Sequence, residues 1–274
     1  MKKVQFNHSV KMLQTGLVSA LLAGSMMMSQ VQAHGGSVND TSKAAMAIDA
    51  AVANKNRPKA DLLLDTDRKP ARVLNFFQVT PGSQVLDVFG GGGYYGELLN
   101  EIVGEEGGVT MYTHSNWYHY SKGQSDKRLQ GKRLKQTRLL ISDINTLELP
   151  AAKYDTALVI LGLHDLYLES EKSLAGEKLD VSHFLKAIYK SVKPGGVLGI
   201  IEHEARAEQL PQQSAQLHRL NSAFIKELML AAGFVFEADS SLLRNEKDDL
   251  TQGVFSSELR RKTDRSMMRF RKVM

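Results

Sequence analysis

The 274-residue chain contains no cysteine, one tryptophan and only six prolines. The missing cysteine excludes disulfides, thiolate metal sites, a cysteine nucleophile and a lipidated N-terminal cysteine. It leaves the compartment open, because such a chain survives in oxidising and reducing surroundings alike. Large excess charge is missing too: Lys plus Arg number 35 against 30 for Asp plus Glu, a net +5. Apolar residues make up 42% and charged residues 24%, ordinary globular usage that argues against a disordered, collagen-like or polytopic membrane chain. The length suits one large domain or two small ones.

Residues 1–33 differ from everything after them. Lys2, Lys3 and Lys11 make a positive, acid-free start, and Leu17 to Met28 form an apolar stretch of 12 residues. That is shorter than the ~20 residues of a spanning helix. Val31-Gln32-Ala33 follows as a small-x-small pattern. The expectation is a secretory leader cleaved after Ala33, on the general route because the paired basic residues are lysines. The mature chain would be periplasmic, without stable membrane insertion. Losing those three lysines leaves a net charge of +2, which removes the compositional case for nucleic-acid binding. One basic run remains, Lys127, Arg128, Lys132, Arg133, Lys135 and Arg138. It has no aromatic interleaved and reads as a solvated helical face.

After a Gly/Ser/Asn-rich lead-in from His34 to Lys43, the Ala-rich segment 44–54 reads as a helix, and 67–78 as a second with Asp67 as its cap. Beyond Pro81-Gly82 strands alternate with helices. The strand candidates are 85–89, 109–113, 138–142, 157–161, 197–201, 234–238 and 267–273. Helical spacing marks 94–103, a segment capped by Asp180, and a segment carrying Leu217, Leu220, Phe224, Leu228 and Ala231. This alternation predicts an α/β fold: a mostly parallel sheet with helices on both faces. The expected organisation is a single domain over 34–274, with 34–80 as a helical extension and 81–274 as the sheet core.

The most informative stretch is Val85-Leu86-Asp87-Val88-Phe89 followed by Gly90-Gly91-Gly92-Gly93-Tyr94-Tyr95-Gly96. A strand running into glycines and then a helix lets backbone approach a ligand closely, and the helix start offers free N–H groups. A carboxylate two residues before the loop is out of place in a dinucleotide fingerprint but can receive an ammonium group. The pattern resembles the class I S-adenosylmethionine-dependent methyltransferases, whose first motif is an apolar strand, an acid and a Gly-x-Gly turn. It is most similar to exported bacterial methyltransferases with Gly-Gly-Gly-Tyr-Tyr at this turn. The likeness extends through Asp65, Arg68 and Pro70, Lys193-Pro194-Gly195-Gly196, Ala232-Gly233-Phe234, and Arg261, Thr263, Asp264 and Arg265. Phe89 departs from the glycine usual at its position.

The resemblance implies a Rossmann-like fold with a seven-stranded sheet and S-adenosyl-L-methionine as cofactor. It assigns cofactor binding to Asp87, Gly91, Gly93 and Tyr94, and to Asp143 with Ile144 after the third strand. The second strand of the family ends in a ribose-binding acid; here it ends in Thr113-His114-Ser115-Asn116, leaving His114 or Asn116 to make a weaker contact. Trp117 could stack on adenine or fill the core. Groups past strand C-termini face the ligand crevice of an open parallel sheet. This makes His164 and Asp165, and then His203, the candidates for handling the acceptor, each His with a near-neutral pKa suited to taking a proton. Two histidines and several carboxylates on adjacent strand ends could also bind a divalent metal, but none is expected. The acceptor is expected to be a small molecule. The alternatives are an exported binding protein descended from such an enzyme, and a dinucleotide oxidoreductase using Gly91, Gly93 and Gly96.

Overall fold

The computed structural model describes residues 38–168 and 178–274. The leader and its cleavage point lie outside the described residues. The N-terminal part contributes α1 (Val38–Ala53), α2 (Lys59–Leu62), α3 (Asp65–Arg68) and α4 (Pro70–Phe76). The alternating part runs β1 (Gln84–Val88), α5 (Tyr94–Val103), β2 (Gly108–Thr113), α6 (Ser115–Leu129), β3 (Thr137–Ile141) and β4 (Tyr154–Ile160). It continues with α7 (Val181–Ser191), β5 (Val192–His203), α8 (Pro211–Ala215), α9 (Ser222–Ala231), β6 (Phe234–Asp239) and β7 (Arg265–Lys272).

The seven strands lie in the order β3-β2-β1-β4-β5-β7-β6. Pairing is parallel from β3 to β5, while β7 is antiparallel to both β5 and β6. Chain order reverses between β1 and β4, and a crevice opens at the strand C-termini at such a switch point. Both the glycine loop after β1 and the His164-Asp165 turn after β4 sit there. The two-residue period of each strand divides the core between faces. Leu86, Val88, Tyr112, Val159 and Ile200 pack towards Phe184 and Ile188 of α7 and Ile225 of α9. Val85, Met111, Leu158 and Ile201 pack towards Ile48 of α1, Leu74 of α4 and Leu98 of α5.

Local chemistry moved three sequence expectations. The helix expected over 67–78 is broken at Lys69, which is left-handed (φ 48°) because Pro70 disfavours helical backbone before it and starts α4. Asp67 therefore lies inside α3 and caps nothing. The helix expected from Leu217 starts at Ser222, where the Asn221 side chain accepts from the N–H groups of Ala223 and Phe224. The basic run is not simply a solvated face. Arg128 reaches inward to both carboxylate oxygens of Asp61 (2.7 and 2.9 Å) and to Glu97 (3.1 Å), and Arg133 also bonds Glu97. Arg128 and the two acids are almost entirely buried, so the cluster holds together only as a set. Arg128→Ala would leave the buried Asp61 without its cation and Glu97 with Arg133 alone. The expected loss is about 3–5 kcal/mol, read as a lowered denaturant midpoint at unchanged slope; a change under 1 kcal/mol would show the cluster to be dispensable.

Candidate active site at the sheet switch point

The floor of the crevice is the turn from β1 into α5. Gly91 and Gly93 take positive φ (52° and 79°), open only to glycine without strain. Gly90 and Gly96 are needed for space: a Cβ on Gly90 would lie 2.6 Å from Asp87 Oδ2, and one on Gly96 would lie 2.5 Å from Met111 Sδ. Phe89, where glycine is usual, is also left-handed (φ 58°). Its ring compensates by stacking on Phe184 (5.4 Å) and meeting Trp117 edge-on (4.5 Å). A cavity of about 250 Å³ opens above this turn, lined among others by Asp87, Gly90 to Gly92, Arg68, Tyr94 and Tyr95.

Asp87 is 2% exposed, and its Oδ2 has no hydrogen-bond partner. Burial raises its pKa to about 7, although Arg68 and the Gly96 backbone pull the other way. Arg68 lines the same cavity with its guanidinium 4.3 Å from the Tyr94 ring centre and makes no ion pair among the described residues. Tyr94 donates to Asp65 (2.6 Å), which also takes both arms of Arg57 (2.8 and 2.9 Å). The other rim of the loop is held by Arg128, whose Nε donates to the Gly92 carbonyl. A larger trough of about 890 Å³ lies beyond Arg128, along Lys59, Lys127 and Arg133. It is an open surface depression away from both strand ends, so the smaller crevice is the better candidate.

The residues assigned to the nucleoside end are drawn into a capping arrangement. His114 is buried and caps α6 by accepting from the Asn116 N–H at Nδ1 (3.1 Å), while its Nε2 lies 3.6 Å from Asp143. Ser115 donates to Asp143, whose side chain is otherwise 59% exposed. Trp117 packs on Phe89 and His114 and so serves the core beside the turn. Ile144 is a core residue, wholly enclosed among Leu147, Phe184 and their neighbours, and its side chain presents nothing to a ligand.

Beyond β4, the turn Leu163–Tyr167 carries His164 and Asp165. His164 is buried, and both its Nδ1 (2.8 Å) and its backbone N–H (3.1 Å) meet the carboxylate of Glu202, which is 0% exposed. Burial opposes a charged imidazole, but Glu202 outweighs it and the pKa of His164 stays above the ordinary value. His203 differs: burial and the neighbouring His164 push its pKa well down, and its Nδ1 meets the Thr263 hydroxyl at 2.7 Å. Its ring is thus held in the neutral form. A third imidazole, His218, comes within 3.2 Å of His164 Nε2.

Sequence reasoning missed two members of this site. Arg68 stood only in a motif, and that it shares a cavity with Asp87 is a tertiary feature. His218 was hidden in an expected helix that the Asn221 cap would have shortened.

The sheet order and the acid-glycine turn at its switch point define a Rossmann-like methyltransferase fold. The model of the ubiE/COQ5 methyltransferase family matches residues 66–242, and the chain belongs to that family. Solved structures agree on the fold. An S-adenosylmethionine-dependent methyltransferase from Aquifex aeolicus is 19% identical with a TM-score of 0.54, over 84% of this chain and 98% of that one. One from Mesorhizobium loti is 15% identical with a TM-score of 0.51, over 76% and 100%. The [4+2]-cyclase SpnF is 18% identical with a TM-score of 0.51, over 81% and 86%. No curated protein sequence matches the chain.

S-adenosylmethionine is the cofactor of this class of enzyme, and its aminoacyl end fits the crevice. The orphaned Asp87 oxygen suits an ammonium group, Arg68 suits a carboxylate, and Gly90 to Gly93 leave room for both. Asp87 also carries a stability signature. Its folded pKa lies above the unfolded value of 3.8, so between pH 4 and about 7 the folded chain keeps a proton that the unfolded chain has released. Stability therefore falls as pH rises through that window, by roughly 4 kcal/mol for a shift of this size. Asp87→Asn should match the wild type near pH 4 and exceed its melting temperature by several degrees at pH 8. Equal melting temperatures at pH 8 would mean that the carboxylate is already compensated.

Proposed function

We propose that the protein transfers a methyl group from S-adenosylmethionine to a small-molecule acceptor, and does so outside the cytoplasm. The proposed organisation is a leader over 1–33 and one catalytic domain over 34–274. The observation that carries the cofactor assignment is the buried, unpartnered Oδ2 of Asp87 beside a glycine turn, since a desolvated carboxylate without a cation invites one. Support for export comes from the lysine, apolar and small-x-small succession before His34. Gly91-Gly92-Gly93-Tyr94-Tyr95 supports placement in the exported subgroup.

When bound, the cofactor supplies a methyl group already activated on a positive sulfur. The residues have the lighter task of holding and aligning. Asp87 would receive the ammonium group, and Arg68 with the N–H groups at the start of α5 would receive the carboxylate. Trp117, Asn116, His114 and Asp143 border the nucleoside side. The acceptor side is the turn after β4. There Asp165 (22% exposed) is within reach of a bound molecule, while His164 (5% exposed) stands behind it, fixed by Glu202. A base is needed only for an acceptor that arrives protonated.

A second reading has a specific observation in its favour. The position of the usual ribose acid is held by His114, whose ring is committed to capping α6. That weakens nucleoside binding and suits a binding protein without turnover.

Titration calorimetry with S-adenosylmethionine tests the main reading. Heat saturating at one site per chain is expected, with Asp87→Ala losing about 1.5–3 kcal/mol of affinity, the worth of a charge-assisted contact. No heat at millimolar cofactor would end the enzyme reading; binding without methyl transfer to any of a panel of hydroxyl, amine and thiol acceptors would favour the second. Export has its own measurement. Mass spectrometry of protein from envelope fractions should find an N-terminus at His34, and an intact Met1 would refute cleavage.

A further inference from the structure

His164, Asp165 and His218 belong to two segments that sequence spacing does not connect, yet three of their ligand-type atoms converge. The separations are 3.2 Å between His164 Nε2 and His218 Nδ1, 3.4 Å between His164 Nε2 and Asp165 Oδ1, and 3.6 Å between His218 Nδ1 and Asp165 Oδ1. Nitrogen and oxygen ligands roughly 2.0–2.2 Å from a tetrahedral ion lie about 3.3–3.6 Å from one another. The triangle has the dimensions of one face of that tetrahedron. We propose that these three side chains bind one divalent transition metal ion, with zinc(II) as the first choice.

The surroundings are those of a metal histidine. Glu202, fully enclosed, accepts at one oxygen from the His203 N–H (2.8 Å) and at the other from the His164 N–H (3.1 Å). A carboxylate so placed accepts only, so His164 must hold its proton on Nδ1 and turn the Nε2 lone pair towards the other two ligands. A carboxylate behind a ligating imidazole in this way fixes its tautomer and raises its basicity. His218 is held with φ at 56°, a left-handed conformation uncommon outside glycine, and the Phe255 ring packs on it at 4.8 Å. Asp165 and His218 are part-exposed, so an ion can enter, and three protein ligands leave a fourth position for water or an oxygen of a bound molecule. The donor set excludes the softest metals and, with two imidazoles, disfavours magnesium and calcium. Metal binding at this turn does not depend on the methyl-transfer reading, and its test uses no cofactor.

The experiment is metal analysis of the full chain, without an affinity tag, after exposure to zinc chloride and dialysis, with a parallel titration by cobalt(II). About one zinc per chain is expected. Cobalt should give the intense visible absorption of a tetrahedral site, erased by zinc. Asp165→Asn, nearly isosteric, and His218→Asn, which tolerates left-handed backbone, should each weaken binding at least 100-fold while the circular dichroism stays native. Glu202→Gln should weaken it about 10- to 100-fold with the three ligands intact, and exposed His119→Ala should leave it unchanged. Zinc lost on dialysis from the wild type, or held equally by the Asp165 and His218 variants, would overturn the proposal.

Discussion

A single uncompensated carboxylate organises the ligand end of this molecule. Asp87 lies on a central strand, on the face that carries Val85 into the α5 side of the core, yet it is the only residue of β1's buried run with an ionisable group. Its position is dictated by the two-residue period, and the space beside it by Gly90, where a Cβ would lie 2.6 Å from its Oδ2. Burial without a full counter-charge costs stability at neutral pH. The fold tolerates the cost because both flanks of the loop are pinned. One is held by the Arg57–Asp65–Tyr94 cluster and the other by the reach of Arg128 to Gly92. The N-terminal helices therefore form one wall of the crevice and fix its charge.

Three of the non-glycine residues with left-handed backbone lie along the same edge, while others, Lys69 and Ala152 among them, occupy turns elsewhere. Phe89, Leu161 and His218 all hold left-handed backbone without being glycine. Each sits in a turn that borders the crevice or the histidine cluster. Left-handed single residues cost roughly 1–2 kcal/mol each, and neighbouring contacts must overcome that cost. Phe89 has three aromatic neighbours to do so, and His218 has His164 and Phe255.

Features set by local chemistry were legible in the sequence. Strand and helix alternation located the sheet to within a residue or two at most boundaries, and the acid-glycine turn located the crevice. Asp180 was recognised as a cap because an aspartate before an amphipathic run has one ordinary purpose, and its side chain does accept from the His183 N–H. Features that depend on tertiary approach stayed hidden. Arg128 looked solvated in a run of like charges, and only the arrival of Asp61 and Glu97 from other elements drew it inward. Ile144 was grouped with Asp143 by adjacency, yet successive residues leaving a strand face opposite sides, and one faced solvent while the other entered the core. Leucine spacing ran through His218, because a turn packed on a hydrophobic surface can repeat apolar residues as a helix does.

The two ends of the crevice carry opposite electrostatic characters, and that asymmetry bears on chemistry more than the fold does. A [4+2]-cyclase has the same architecture at 18% identity, so the sheet alone does not choose a reaction. At the β1 end a carboxylate is desolvated and lacks its cation. At the β4 end Glu202 is equally buried but fully occupied, by two backbone N–H groups and an imidazole, and passes its influence outward through His164 to Asp165 and His218. The first arrangement suits a cation arriving with a ligand. The second suits a positive centre held by the protein itself. A cationic group of a ligand would meet complementary charge at the β1 end, which gives the crevice a direction along the sheet.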